Sequence, residues 1–241
     1  LVTADERLGI PGLKADVKIL TDRWGVDHIY AKNEHDLFFA QGYAAARNRL
    51  FQFELWRRQA TATVAEILGR RELDRNIGTR LHLFRKDMSQ ELAHYHQRGV
   101  LIINAHVDGI NTYIEETERN PGLLPMELEL LEIKPGKWTP AVVISRHQGL
   151  LSNVTTELCL GQAVASIGAE KVRELDWFRR GDPVLELDPA IDGRLDILHY
   201  YRAFRRSVQF EPSDIVAAYR SDPASYKRLA AATRQSISPG D

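Results

Sequence analysis

Hydrophobic and polar positions alternate near the start of the chain and then settle into helical spacing. Residues 1–15 read as an irregular arm punctuated by Gly9, Pro11 and Gly12. In Asp16-Val-Lys-Ile-Leu-Thr-Asp22, Val17 and Ile19 alternate with polar residues. Arg23-Trp24-Gly25 follows, and then Val26-Asp-His-Ile-Tyr30. Two short strands joined around Gly25 predict a β-hairpin. A helix is expected from Asn33, a good N-cap, with Glu34 and Asp36 placing negative charge in the first turn. Leu37, Ala40, Ala44, Phe51 and Leu55 follow helical spacing, and Arg47 falls on the same stripe. A buried arginine there would need carboxylate or carbonyl partners. Thr61-Ala-Thr63 interrupts the pattern, and Thr63 is placed to cap a short segment that Gly69 ends.

Further helical stretches are predicted over 74–97 and 99–118. In the second, Ile103, Val107, Ile110 and Ile114 share one face, and Asn120-Pro121-Gly122 stops it. Residues 121–140 carry four prolines and Trp138, and read as a loop with one short strand near Leu128–Leu131. A long helix is expected from Pro140 to Ile167 and a shorter one from Ala169 to Asp176. Residues 181–198 look extended. Helical pattern returns over 198–206 and 212–234, and the polar tail 236–241 is expected to fray. There is no internal repeat and no regular βα alternation, so the predicted fold class is α+β, mainly helical with a short N-terminal β-hairpin. The whole chain, 1–241, is read as one domain: an arm to residue 15, a body to 180 and a C-terminal segment from 181.

Composition narrows the function classes. The chain has 241 residues, 44% hydrophobic and 27% charged, an ordinary globular balance. Its 32 Lys and Arg against 33 Asp and Glu give a net charge of −1, without the basic excess that drives nucleic-acid binding. The longest apolar run is five residues, 215–219, against the ~20 that a membrane span needs. A single cysteine excludes a disulfide scaffold and a cysteine-rich zinc site. The chain begins with Leu1 rather than Met, which suggests a processed or trimmed chain.

Candidate chemistry is sparse. There is no G-x-S-x-G elbow, P-loop, G-x-G-x-x-G or H-E-x-x-H. His94 and His96 lie two apart on a predicted helix and face different ways. Cys159, on an apolar helix, reads as a buried packing residue. Glu157 stands out as the one charge between Gln148 and Gln162. A lone carboxylate among neutral neighbours needs a cation, a metal, a cap or neighbouring backbone, and the residues alone leave these open.

The segment Val17-Lys-Ile-Leu-Thr-Asp-Arg-Trp-Gly-Val-Asp-His-Ile-Tyr-Ala31 resembles the opening hairpin of the penicillin acylase family, with its Asp-x-x-Gly and x-His-Ile-Tyr-Ala. Asp36-Leu-Phe-Phe-Ala-Gln-Gly-Tyr43 resembles the next helix. Asn48-Arg-Leu-Phe-Gln-Phe-Glu54 is similar to the family's Asp-Arg-Leu-Phe-Gln-Met-Glu, and Arg57-Arg58 and Thr63-Val-Ala-Glu-Ile-Leu-Gly69 follow in order. Asp108-Gly109-Ile-Asn111 and Trp138-Thr-Pro140 also agree. The specific block is 17–69, and weaker agreement reaches about residue 165.

The resemblance implies the α chain of an N-terminal-nucleophile hydrolase, part of an αββα heterodimer cut from one precursor and placed in the periplasm or secreted. The nucleophile, usually Ser, is then the first residue of the β chain, and no catalytic residue is expected in this chain, since Leu1 has neither hydroxyl nor thiol. By the same resemblance, Glu157 is a calcium ligand shared with the β chain. His147, Leu150 and Leu151 line the acyl pocket, where penicillin G acylases carry Met, Arg and Phe. Two leucines suit a fatty acyl group, as in acylases of acyl-homoserine lactones, better than a phenylacetyl group. Asn48 departs from the family's Asp, so a local ion pair is lost there. The implied substrate is a small-molecule amide. A stand-alone helical binding module and a catalytically inactive acylase homologue are the competing readings.

Overall fold

The computed structural model describes residues 7–83, 85, 87–147, 153–175, 181, 184–193, 195–211 and 214. Among these the architecture is mainly helical, headed by one two-stranded antiparallel sheet. Strands β1 (Lys18–Thr21) and β2 (Asp27–Tyr30) pair with Ile19 opposite Ile29 and Leu20 opposite His28. The turn is built by Asp22, whose Oδ1 accepts from the N–H groups of Trp24 at 2.8 Å and Val26 at 3.0 Å. Those backbone bonds lower the Asp22 pKa. Gly25 supplies the left-handed conformation (φ 78°) that closes the turn.

Helix α1 (Glu34–Thr61) starts where the cap signal places it. Asn33 Oδ1 accepts from the Asp36 N–H at 2.9 Å, and Asn33 Nδ2 donates to Asp36 Oδ2 at 2.6 Å. Asp36 is fully buried. Burial alone would raise its pKa, but bonds from the Lys14 N–H, His35, Asn33 and the Ala15 N–H outweigh it and hold the group at about 2. The same carboxylate therefore ties the N-terminal arm to α1.

The buried face of α1 agrees with the expected stripe in part. Ala40 and Ala44 are buried as expected, with Phe39, Tyr43, Ala46, Leu50 and Phe53 beside them; Phe51 and Leu55 are half-buried, and Leu37 and Arg47 are exposed. The helix kinks at Arg49 (φ −142°, ψ 33°) without interrupting the 3–4 spacing of the buried positions. Ala62 takes a left-handed conformation (φ 57°) beyond the end of α1. The N-cap of α2 (Ala65–Leu68) is Val64 rather than Thr63, and Gly69 ends that helix with φ 73°.

The stretch expected as one helix over 74–97 is two, α3 (Leu73–Leu81) and α4 (Met88–Tyr95). Asp87 starts the second by accepting from the Ser89 N–H at 2.9 Å. Helix α5 (Gly99–Arg119) buries Val107, Ile110 and Ile114 as expected, and ends at Asn120. The short strand expected near Leu128–Leu131 is instead helix α6 (Met126–Leu130). Its apolar and acidic residues alternate, but among the described residues no strand pairs with it, and Leu128 and Leu130 are buried from a helical turn.

The single helix expected over 140–167 is α7 (Pro140–His147) and α8 (Val154–Ile167), the second beginning after its N-cap, Asn153. Helices α9 (Ala169–Leu175) and α10 (Ile197–Arg205) complete the described set. The helix expected over 212–234 and the fraying tail fall outside the described residues, apart from Asp214.

The chain divides into two compact units. One comprises 1–58, 84–144 and 209–241, the other 59–83 and 145–208. In the first, α1 and α5 approach so closely that a Cβ on Gly42 would lie 2.0 Å from the His106 carbonyl oxygen, and one on Gly109 2.0 Å from that of Phe39. In the second, Gly78 of α3 lets α10 pass in the same way, 2.1 Å from the Tyr200 carbonyl oxygen. Beside it, buried Arg75 binds Glu72 and the backbone carbonyls of Arg206 and Ser207.

Candidate functional site

The residues that carry the sequence resemblance turn out to be joints. Glu54 is buried in α1, and its carboxylate accepts from Arg57 Nε at 2.8 Å and Nη2 at 2.7 Å, Arg58 Nε at 2.7 Å and the Gly136 N–H at 2.8 Å. One acidic side chain thus holds two cations and a distant loop. Asn111 of α5 pairs with the backbone of Trp138 as a peptide would, donating to its carbonyl at 2.9 Å and accepting from its N–H at 2.8 Å. Trp138 packs against Phe53 with ring centroids 5.0 Å apart. Asn48 Nδ2 donates to Asp27 Oδ2 at 2.8 Å. At this departure from the family's Asp, the amide gives a hydrogen bond to the hairpin where a carboxylate would face the Asp27 carboxylate.

These joints lead into α7 and α8, which bear the candidate acyl-pocket and metal residues. Thr139 starts α7 through its carbonyl, which accepts from the Val142 N–H at 3.0 Å, and Val142, Ile144 and Ser145 are buried along it. His147 is the last residue of α7; its side chain, and Leu150 and Leu151 altogether, lie outside the described residues. Arg146 directly precedes His147 and is half-buried, and burial lowers the pKa of its guanidinium. The sequence reading passed over this cation, whose signal is its place at the end of the apolar run Ala141-Val-Val-Ile144.

Glu157 lies in the first turn of α8, where the helix dipole favours a negative charge. Its side chain is exposed, and Oε1 accepts from Asn153 Nδ2 at 2.7 Å. Asn153 makes no side-chain cap bond and already has helical φ/ψ (−74°, −26°), while its Nδ2 is bound to Glu157. The neighbour that meets the lone carboxylate is thus an amide four residues earlier, a partner sequence reasoning had not named. Among the described residues no group of three or more His, Cys, Asp or Glu side chains gathers to hold a metal. A calcium ion takes six to eight oxygen ligands, so Glu157 fits such an ion as one hard-oxygen contributor, with the remaining ligands supplied from elsewhere. Cys159, expected to be buried, is exposed. The reason lies in α8 itself, which buries none of its residues.

A hairpin-led helical chain with this order of joints defines a class, and comparison with known proteins gives its family. The penicillin amidase family profile matches residues 16–221, and the chain belongs to that family. It is 31% identical over 188 residues to the penicillin acylase 2 proenzyme of Pseudomonas sp. (strain SE83), a match covering 77% of this chain and 24% of that protein. It is 31% identical over 140 residues to the penicillin G acylase of Escherichia coli, covering 58% of this chain and 16% of the relative. To the acyl-homoserine lactone acylase QuiP of Pseudomonas aeruginosa it is 27% identical over 167 residues, covering 68% and 19%. The chain therefore spans about a quarter or less of the length of these curated relatives. Among solved structures it is similar to a thermostable penicillin G acylase from Alcaligenes faecalis, with a TM-score of 0.55 and 27% identity over 73% of this chain and 98% of that one. Among the described residues no helix is long and apolar enough to cross a membrane.

Proposed function

We propose that this chain is the α subunit of a two-chain amide hydrolase cut from one precursor and exported to the periplasm or beyond. The observation that carries the reading is a contrast in coverage. The alignment takes in 98% of one solved acylase chain, yet 24% or less of the curated relatives. A chain that matches one acylase polypeptide nearly end to end and a precursor only in part behaves as a subunit.

On this reading the nucleophilic hydroxyl sits on the companion chain. It attacks the amide carbonyl, the amine departs with a proton, and water then cleaves the acyl ester to release the acid. This chain contributes the acyl pocket through His147, Leu150 and Leu151. Leucines give that pocket an aliphatic lining, and the similarity to a lactone acylase as well as to penicillin acylases supports an extended acyl chain as the preferred group. Glu157, held at the head of α8 by Asn153, offers one carboxylate to a calcium ion shared with the companion; the ion supplies a structural cross-link between the two chains.

The test is expression of the complete precursor, followed by intact mass measurement, N-terminal sequencing of any second chain and assay against amides of graded acyl length. A larger companion beginning with Ser, with faster hydrolysis of fatty than of phenylacetyl amides, is the expected result. A companion lacking a hydroxyl or thiol at its first residue would make this an inactive homologue. A chain found alone, folded and monomeric would make it a binding module. For the metal, Glu157→Gln is expected to lower bound calcium and the melting temperature together; unchanged calcium content removes Glu157 from the ligand set.

A further inference from the structure

The N-terminal arm and the C-terminal half of α5 enclose a cavity of about 230 Å³. Both walls belong to the first compact unit. The arm is anchored beside it. The Lys14 and Ala15 N–H groups bind the buried Asp36 carboxylate, and Gly12 sits so close to Phe39 that a Cβ would lie 2.8 Å from its ring. The helix wall follows from sequence spacing. Thr112, Glu116 and Arg119 recur at four and then three residues, and so stand in one row on α5. Asn120, the C-cap of α5, closes the row.

The two walls differ in chemistry. The arm presents hydrocarbon from Leu8, Ile10 and Pro11, and Leu8 is left 42% exposed. The helix presents one charge of each sign. Glu116 is half-buried, and its Oε2 accepts from the Tyr43 hydroxyl at 2.6 Å. Burial and that carboxylate raise the Tyr43 pKa, so the phenol keeps its proton and fixes the oxygen in place. Among the described residues Oε1 of Glu116 carries no such bond. Arg119 Nε donates to the Glu115 carbonyl at 3.2 Å, and among the described residues Arg119 and Glu116 are not paired with each other. Thr112 Oγ1 donates to the Asp108 carbonyl at 2.8 Å and so keeps its lone pairs as acceptors. An anion in this cavity would meet the Glu116 carboxylate, and a cation would meet the Arg119 guanidinium. A hydrocarbon would leave both charges without a counterpart. A molecule that carries an ammonium, a carboxylate and an apolar body answers all three surfaces. The volume sets its size. Drug-sized ligands occupy ~300–1,000 Å³, so this smaller cavity takes a single amino acid rather than a peptide.

We propose that the cavity between the arm and α5 is a binding site for a small zwitterion with an aliphatic body, of which an aliphatic α-amino acid is the simplest case. Glu116 and Thr112 take the ammonium, Arg119 and Asn120 the carboxylate, and Leu8, Ile10 and Pro11 the hydrocarbon. Every residue of the site lies on this chain, so the two-chain reading can fail without it.

The test is calorimetric titration of the native purified protein with three probes. L-Leucine carries both charges, isopentylamine is the same body without the carboxylate, and isocaproate is the same body without the ammonium. Leucine is expected to bind with a Kd of about 1 mM or tighter, and each truncated probe roughly tenfold or more weakly, the worth of one charge-assisted hydrogen bond. No saturable leucine binding, or equal binding of all three probes, overturns the proposal. Two variants then locate the site. Glu116→Gln keeps the side-chain volume and an acceptor for Tyr43. It is expected to weaken leucine and isopentylamine while leaving isocaproate unchanged or tighter. Arg119→Gln, at an exposed position, is expected to do the reverse, weakening leucine and isocaproate and sparing isopentylamine. A role in folding alone would weaken the three probes together, and that result overturns the assignment. Leucine binding undiminished in both variants places the probe elsewhere and overturns it as well. Should Glu116→Gln fail to fold, the split between the two truncated probes in Arg119→Gln decides alone.

Discussion

Helices α5 and α8 show how little the apolarity of a segment says about its burial. Helix α5 carries several charges among its 21 residues and still buries eight of them. Helix α8 has a single charged residue, Glu157, among 14, and buries none. A helix apolar on all sides belongs inside a larger core. The difference is therefore one of partners rather than of sequence: α5 finds its packing surface on α1 of the same chain, whereas α8 presents Cys159 and Ile167 to solvent. Among the described residues, one region finds its cover within this polypeptide and the other does not; on the two-chain reading proposed above, the companion supplies it.

The sharpest way to break the comparison is to fill the α1–α5 crossing. Gly42→Ala or Gly109→Ala would drive a methyl group to 2.0 Å from a backbone carbonyl oxygen, where no side chain can move aside. Overpacking costs typically 1–3 kcal/mol where neighbours can shift, so each variant is expected to lose about 3 kcal/mol or more in denaturant unfolding. Wild-type stability in either variant would mean that the crossing is looser than described and α5 no more self-sufficient than α8.

Next in size is Glu54→Gln. The amide keeps the volume but removes the charge that Arg57 and Arg58 share, and one of its two terminal atoms can no longer accept. Breaking one side of a buried ion pair costs ~3–5 kcal/mol. Because both arginines reach partly to the surface, about 2 kcal/mol is expected. Equal stability of the variant would reduce this joint to a surface ion pair.

The features legible in the sequence are those with local causes. The hairpin follows from alternation around Asp22 and Gly25, the start of α1 from Asn33, and the end of α5 from Asn120-Pro121-Gly122. Misreadings arose where a local signal met a distant constraint. The alternating Met126–Leu130 imitates a strand, but a strand needs neighbours, and among the described residues none pairs with this region. Arg47 follows the buried Ala46 by one residue and lies just past the edge of the buried face, a difference of one position that a spacing count does not resolve. At the candidate site, Glu157 was conspicuous as a lone charge, and its partner Asn153 sits one helical turn away, visible by the i,i+4 rule. The role of Glu54 was not legible, because its bond to the Gly136 N–H spans 82 residues.

Acid should separate the self-contained region by its own chemistry. Asp36 has a pKa of about 2 in the folded chain against an ordinary 3.8. A carboxylate held below its unfolded value adds stability that is fully present above about pH 4 and is lost as the pH falls through 2. Asp36→Asn is expected to flatten the acid limb of an unfolding-against-pH curve in that window. A limb unchanged by the substitution assigns the acid sensitivity to other carboxylates.

The smallest effect is the most telling for α8. Gly161 lies inside that helix, and a Cβ there would meet only Leu187 Cδ2, at an ordinary 3.6 Å. Alanine is favoured over glycine in a helix interior by ~1 kcal/mol. Gly161→Ala is thus expected to raise stability by about 0.5–1 kcal/mol, the opposite sign to the same change at Gly109. The companion chain gives the measurement a second arm. If α8 is covered in the assembled protein, a methyl group that is harmless to this chain can still obstruct assembly, read as weaker retention of the companion. Stabilisation with full retention would place Gly161 on the side of α8 that faces Leu187 and leave the companion to cover Cys159 and Ile167. Destabilisation of the isolated chain would mean that α8 is already packed as tightly as α5, and the contrast between the two helices would disappear.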